Sequence, residues 1–210
     1  WQINSFMPAY VFQQILTKAE AAGKVASLET SSKDWFRRTA QNTTVNPVAL
    51  VKSDRSRFRR RPTLGEMYLF NYDPKHKQTL PYYDRFPLVI PFDSIRTQGA
   101  AGSSAGFIGM NLHYLPPILR AKLMDGLYEY VTNKNLTEDA RFKVSYRLLS
   151  RVAKLKYFRP CIKQYLLPHV RSAFFHIDPS EWTTAVFLPL DRFMKADKNI
   201  IYKDSRAKIY

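Results

Sequence analysis

The sequence predicts an α+β protein: a small, mostly antiparallel twisted sheet or barrel of about five strands, with helices inserted and an N-terminal helical pair. Three observations lead there. Apolar residues recur at helical spacing near the N-terminus and again beyond residue 116, short aromatic-rich alternating runs bounded by Pro, Gly and Asp fall between and after them, and no internal repeat is present. With 210 residues, 45% hydrophobic and 14% aromatic, the chain can bury a sizeable core.

Taken in order, Phe6, Tyr10, Val11, Ile15, Ala19 and Ala22 repeat at helical spacing and Gly23 stops them, predicting an amphipathic helix over 5–22. Ser31 or Ser32 can cap the amides of a second, which carries Trp35, Phe36, Arg37 and Arg38 and is ended by polar residues and Pro47. After Pro62 and Gly65, MYLFNY at 67–72 reads as a strand, closed by Asp73-Pro74 with Lys75-His76-Lys77 in the turn. A second strand is expected at 86–92, with Pro87 and Pro91 at strand ends or on an edge because they lack an amide donor. The small-residue stretch 98–106 reads as a loop tip leading to a third strand at 107–115.

Pro116 and Pro117 suit a first helical turn, and Leu119, Leu123, Leu127 and Val131 continue it on one face. A longer helix is expected from Thr137. On a wheel at about 100° per residue its Lys143, Arg147, Arg151 and Lys154 fall within about 80° of one another, beside an apolar arc of Val144, Leu148, Val152 and Leu155. Beyond Pro160 come a short helix at 162–169, strands at 173–177 and 184–188 around the turn Asp178-Pro179-Ser180, and a charged tail that needs a partner to be ordered. The divisions expected are 1–51 (helical), 52–65 (basic linker or arm), 66–192 (α+β core) and 193–210 (tail).

Charge is the strongest functional signal. Lys and Arg number 33 against 17 Asp and Glu, for a formal net charge of +16. Residues 52–65 carry 6 basic and 1 acidic side chain and residues 137–171 carry 9 and 2, so these two segments supply 12 of the 16. Such a balance suits nucleic acid, an anionic membrane or an acidic protein surface. In the first segment Arg55, Arg57, Arg59, Arg60 and Arg61 bring forked donors matched to phosphate oxygens, and Phe58 among them can lean on a sugar or base. The candidate DNA-binding residues are therefore Lys52, these five arginines, Lys75, Lys77, Lys143, Arg147, Arg151 and Lys154. No base-reading motif accompanies them, so contacts would go to the backbone of double-stranded DNA and be indifferent to sequence. The competing reading is an arm that grips an acidic patch on a neighbouring protein.

Signals for catalysis are weak, and no cofactor, metal site or enzymatic activity is expected. The histidines at 76, 113, 169 and 176 pair neither with one another at helix spacing nor with a second cysteine, and no glycine-rich phosphate loop occurs. Asp73-Pro74-Lys75, with Glu66 before and Asp84 after, resembles the carboxylate and lysine spacing of metal-dependent nucleases, although turn-making alone explains Asp73. A single cysteine, Cys161, leaves no internal disulfide and fits a reducing compartment. No run approaches the ~18 apolar residues that span a bilayer, so no membrane partner is expected and the chain is expected to be cytosolic in origin. The chain opens on Trp1 rather than Met, so any upstream targeting signal lies outside it.

Residues 65–91 (GEMYLFNYDPKHKQTLPYYDRFPLVIP) and 106–120 (GFIGMNLHYLPPILR) resemble the central region of the DNA end protector or head-completion family of virion proteins from contractile-tailed bacteriophages. FRPCIKQYLLPHV at 158–170, DPSEWTTAVFLP at 178–189 and Asp204-Ser205-Arg206 extend the resemblance over about two thirds of the chain. It implies a non-enzymatic virion component that binds the ends of packaged linear DNA, with other virion proteins at the neck, portal or tail as partners. It carries over no catalytic residues. Two readings stay open: DNA-end protection at the head-tail connection, or a tail or baseplate component engaged only in protein contacts. The YDPK and LPYYD segments fit a fold core, a docking edge or a DNA surface.

Overall fold

The computed structural model describes residues 54–96, 104–131, 147–152 and 154–207, together with positions 18, 21–23, 35, 38, 39, 42, 46, 47 and 50. Most of the N-terminal helical pair, Lys52, the loop tip at 97–103 and Lys143 lie outside these residues.

The sheet is antiparallel throughout and six strands wide, in the order β1-β7-β2-β4-β5-β6: β1 Phe58–Arg59, β2 Met67–Leu69, β4 Leu88–Arg96, β5 Ser104–Asn111, β6 Ile162–Leu166 and β7 Phe174–Ile177. A separate pair joins β3 Tyr83–Asp84 to β8 Phe193–Met194. The α+β expectation holds, and the sheet stays open, since β1 and β6 are unpaired edges. Period-two alternation assigns the faces. Met67, Leu69, Leu88, Ile90, Phe175 and Ile177 enter the main core, whereas Tyr68, Phe70, Val89, Phe107, Tyr165 and Phe174 form a second, largely aromatic cluster. The sheet curls around that cluster. Phe70, just after β2, lies 5.3 Å from Tyr165 of β6 between ring centroids and 4.9 Å from Phe174 of β7.

Two glycines permit the curl and its closure. A Cβ on Gly106 would sit 2.1 Å from the Tyr165 carbonyl oxygen, so only glycine lets β5 and β6 approach. Gly65, at φ 86°, turns the chain into β2 and donates its amide to the Pro91 carbonyl at 2.7 Å. That contact corrects the placement of Pro91, which sits inside a central strand. It is tolerated there because the register shifts between Pro91 and Asp93, a bulge that relaxes the ladder where the proline has no amide to give.

Helix α1, Pro117–Val131, begins at the diproline as expected, with Leu123 and Met124 buried. Positions 147–152 and 154 are helical, Leu149 and Val152 face the core, and Leu155, expected on the apolar arc, is 54% exposed at the helix end. Pro47 and Leu50 are helical, Asn46 is not, and Leu50 is buried, so Pro47 opens a helical turn, in keeping with its tolerance at a first position; the residues just before Asn46 lie outside the described ones.

Three local expectations are overturned. Segment 162–169 is strand β6 followed by a single 3-10 turn, because the exposed edge of β5 offers ladder bonds that outweigh the weak helical pattern. Segment 184–188 is not a strand: Asp178 and Glu181 form a reciprocal capping box over Pro179, which starts a 3-10 turn running into the short helix α2, Trp182–Ala185. The C-terminal residues form helix α3, Lys198–Ala207, with Ile201 fully buried. Arg120 of α1 ties these pieces together from within the core. Its guanidinium donates to the carbonyls of Leu115, Val186 and His113 and to the Tyr202 hydroxyl of α3, at 2.7 to 3.2 Å.

Candidate nucleic-acid interface

The basic run is built onto the sheet. Asp54 caps a 3-10 turn at Arg55–Arg57 by accepting the Ser56 amide at 3.0 Å, and hydrogen bonding to Ser56 holds its carboxyl below the ordinary value. Phe58 and Arg59 then pair with Phe175 and Phe174 as edge strand β1. Arg57 turns inward. It donates to both carboxylate oxygens of Glu181, to Asp54 at 3.1 Å and toward Asp178 at 3.2 Å, and lies 5.9 Å over the Phe175 ring. Phe58 also faces the core, edge-on to Phe175 at 6.3 Å, and so is not a ring for a sugar or base. Arg55, Arg59, Arg60 and Arg61 remain exposed. Arg59 donates to the Ser56 and Phe58 carbonyls, which braces the turn, and none of these four makes an ion pair among the described residues. Charge on an edge strand also blocks pairing with another sheet.

The other candidates divide similarly. Lys77 donates to both oxygens of Asp73 at 2.9 and 3.0 Å and, with Arg171 at 3.8 Å, holds that carboxyl below its usual value; Lys75 is exposed. Arg147, Arg151 and Lys154 are exposed; of the neighbouring arc the wheel predicts, Val152 is buried and Leu148 half-buried, while Leu149, off that arc, takes the buried place and Leu155 is exposed. The structure thus gathers Arg55, Arg59, Arg60 and Arg61 at one edge. It commits Arg57 and Lys77 to internal ion pairs.

The carboxylates of the nuclease-like spacing have separate partners. Glu66 accepts the Tyr68 hydroxyl, Asp73 is held by Lys77, and Asp84 is buried against His113 Nδ1 at 2.6 Å. Burial pushes the Asp84 carboxyl up, but the His113 charge and hydrogen bond, with the amides of Phe86 and Arg192, outweigh it and leave the carboxyl below its ordinary value. Among the described residues no group of three His, Cys, Asp or Glu side chains is placed to hold a metal ion. Cys161 is buried, and burial pushes its thiol up to about 12.

Sequence reasoning missed a cleft of about 460 Å³ beside β6, walled by Tyr72, Tyr82, Tyr83, Tyr114 and Tyr165. YDPK and LPYYD are its margins. Lys195, at φ 72°, braces the adjoining loop by donating to the carbonyls of Lys77, Gln78 and Leu80 at 2.7, 2.9 and 2.9 Å. The spread of tyrosines along the sequence was the available signal, but only the curl of the sheet brings them together.

Fold and site together define an α+β protein with an arginine-bearing sheet edge and an aromatic cleft. The chain belongs to the family of the phage T4 terminal DNA protecting protein, whose model matches residues 3–208. The match covers nearly the whole chain, beyond the two thirds carried by the sequence resemblance. No curated protein and no solved structure matches it. Among the described residues, no helix is long and apolar enough to cross a membrane.

Proposed function

We propose that this chain binds the phosphate backbone of linear double-stranded DNA at its ends in the virion, and shields or positions those ends at the head-tail connection. The observation that carries the reading is the division of labour within one short run. Arg57 is half-buried in an ion-pair network that pins the run to the sheet, which leaves Arg55, Arg59, Arg60 and Arg61 exposed on a fixed strand and turn. Guanidiniums held this way lose less freedom on meeting phosphate than a flexible arm would. Arg147, Arg151 and Lys154, with Lys75, supply further phosphate contacts, and no enzymatic step is invoked. Exposed Ile118 of α1 and Ile200 of α3, at 58% and 51%, suit contacts with other virion proteins.

Titration with linear and closed-circular duplex at several salt concentrations tests the reading. Binding is expected at about 50 mM salt and weakens steeply above it, because each neutralised phosphate releases counterions. Replacing Arg55, Arg59, Arg60 and Arg61 by Ala should flatten the log-log salt slope by about 3 to 4, at ~0.9 per contact. An unchanged slope shows that this edge does not face phosphate. Linear duplex should survive an end-dependent exonuclease when the protein is bound and be digested without it, while closed circles, which have no ends, resist in both cases.

A further inference from the structure

We propose that the tyrosine-walled cleft beside β6 is a pocket for a single unstacked nucleotide at the terminus of a DNA strand. This rests on the DNA-binding reading above and adds to it what distinguishes an end from the interior of a duplex.

The cleft has the size and chemistry of a ligand site. Its volume of about 460 Å³ falls in the ~300–1,000 Å³ range of pockets that enclose small molecules. Tyr72, Tyr114 and Tyr165 are buried in its wall and Tyr82 and Tyr83 are half-buried at its margin, so aromatic side chains border the space from both the sheet and the loop before β4, the two at the margin being the more accessible. These rings are held by one another and by the core. Tyr72 and Tyr165 lie 4.9 Å apart nearly perpendicular, the Tyr72 hydroxyl accepts the Leu166 amide at 3.1 Å, and the Tyr165 hydroxyl accepts from Asn111 at 3.1 Å. A preformed aromatic wall stacks any of the four bases, since each has a π face.

The charge around the cleft selects an anion. Lys75, His76 and Lys163 are the ionisable bases on its lining, with Lys163 Nζ 4.0 Å from the Tyr114 ring centroid. The one carboxylate there, Asp84, is already saturated: Oδ1 accepts the amides of Phe86 and Arg192, and Oδ2 accepts from Asn111 and pairs with His113. Aromatic walls with a cationic rim and a neutralised floor fit a nucleotide, with the base inside and the phosphate at the lysines, better than a neutral or cationic ligand.

Access explains the preference for an end. A terminal nucleotide leaves the duplex by breaking one stacking step, whereas an interior one breaks two and must also distort a continuous backbone. The exposed arginines of β1 would hold any duplex, and the cleft would reward only a terminus.

Two variants and one ligand test this. Tyr83→Ala removes a half-buried wall, and Gln164→Trp, at an exposed position on the cleft's β6 margin, fills the space without touching the core. Affinities for linear and closed-circular duplex of equal length are measured for each, with circular dichroism to confirm folding. Both variants should lose roughly 5- to 140-fold in affinity for linear DNA, the range for one base-aromatic stack, with circular-DNA affinity and salt slope unchanged. Separately, deoxynucleoside 5′-monophosphates in the millimolar range should shift tyrosine ring resonances of the unaltered protein. Equal affinity of the unaltered protein for linear and circular DNA overturns the proposal, as does an unaffected linear preference in a folded variant or the absence of any tyrosine shift. Absence of salt-dependent binding to circles, with linear binding intact, sinks instead the arginine-edge reading.

Discussion

Arg57→Ala separates an inward, structural arginine from its outward neighbours. The substitution leaves the Glu181 carboxylate, in a residue only 4% exposed, without the guanidinium that meets both its oxygens. Removing one partner of a buried ion pair costs ~3–5 kcal/mol. Arg57 itself is 17% exposed and Asp178 is half in solvent, so the lower end applies, about 3 kcal/mol or a loss of roughly 140-fold in the folding constant. For a chain of this size that lowers Tm by about 6–12 °C. Urea denaturation and calorimetry read the loss directly. Arg60→Ala, on the same run but exposed, should stay within about 0.5 kcal/mol of the parent. Arg57→Met with Glu181→Gln removes the buried charge yet keeps an acceptor for the Asp178 amide, and should recover most of the stability. If Arg57→Ala is as stable as the parent while flattening the salt slope of DNA binding, Arg57 faces phosphate and the anchoring argument is wrong.

Two further predictions concern the sheet and its buried pair. Gly106→Ala places a methyl against the Tyr165 carbonyl and should destabilise by about 1–3 kcal/mol or more by forcing β5 and β6 apart, seen as faster hydrogen exchange at the β6 amides; an unchanged exchange pattern refutes the close-approach argument. Asp84 has a folded-state pKa held below its unfolded value, so its contribution to stability is present above pH about 4 and is lost as pH falls through the folded pKa. Urea midpoints should therefore fall more on acidification for the parent than for Asp84→Asn, and parallel curves refute the pairing with His113.

Much of the architecture is legible because local patterns and the core agree. MYLF alternates as Met67 and Leu69 to one face and Tyr68 and Phe70 to the other, and the diproline opens α1 where the missing amides cost nothing. The helical stripe of Arg147, Arg151 and Lys154 is exposed and Val152 of the neighbouring arc is buried for the same reason, whereas the burial of Leu149 and the exposure of Leu155 depart from the wheel. Where local signals are weak, pairing partners far along the chain decide. Segment 162–166 becomes a strand because β5 offers it an edge, whereas 182–185 becomes helical for a local reason, the capping box of Asp178 and Glu181 over Pro179.

The amino-acid sequence by itself determined that this is a basic α+β chain with its charge in two segments, and the family resemblance was readable from its words. Composition and spacing carry that much because charge counts and short-range periodicity need no knowledge of neighbours in space. Only the tertiary structure decided which cations face outward, since what sets Arg57 apart from Arg59 and Arg60 is chiefly the distant Glu181 and Asp178 that meet it, beside the nearby Asp54. The cleft was decided there too. Tyr72, Tyr83, Tyr114 and Tyr165 come from four separate stretches, and they line one space because Gly106 lets β6 close against β5 and the sheet curl over its aromatic face.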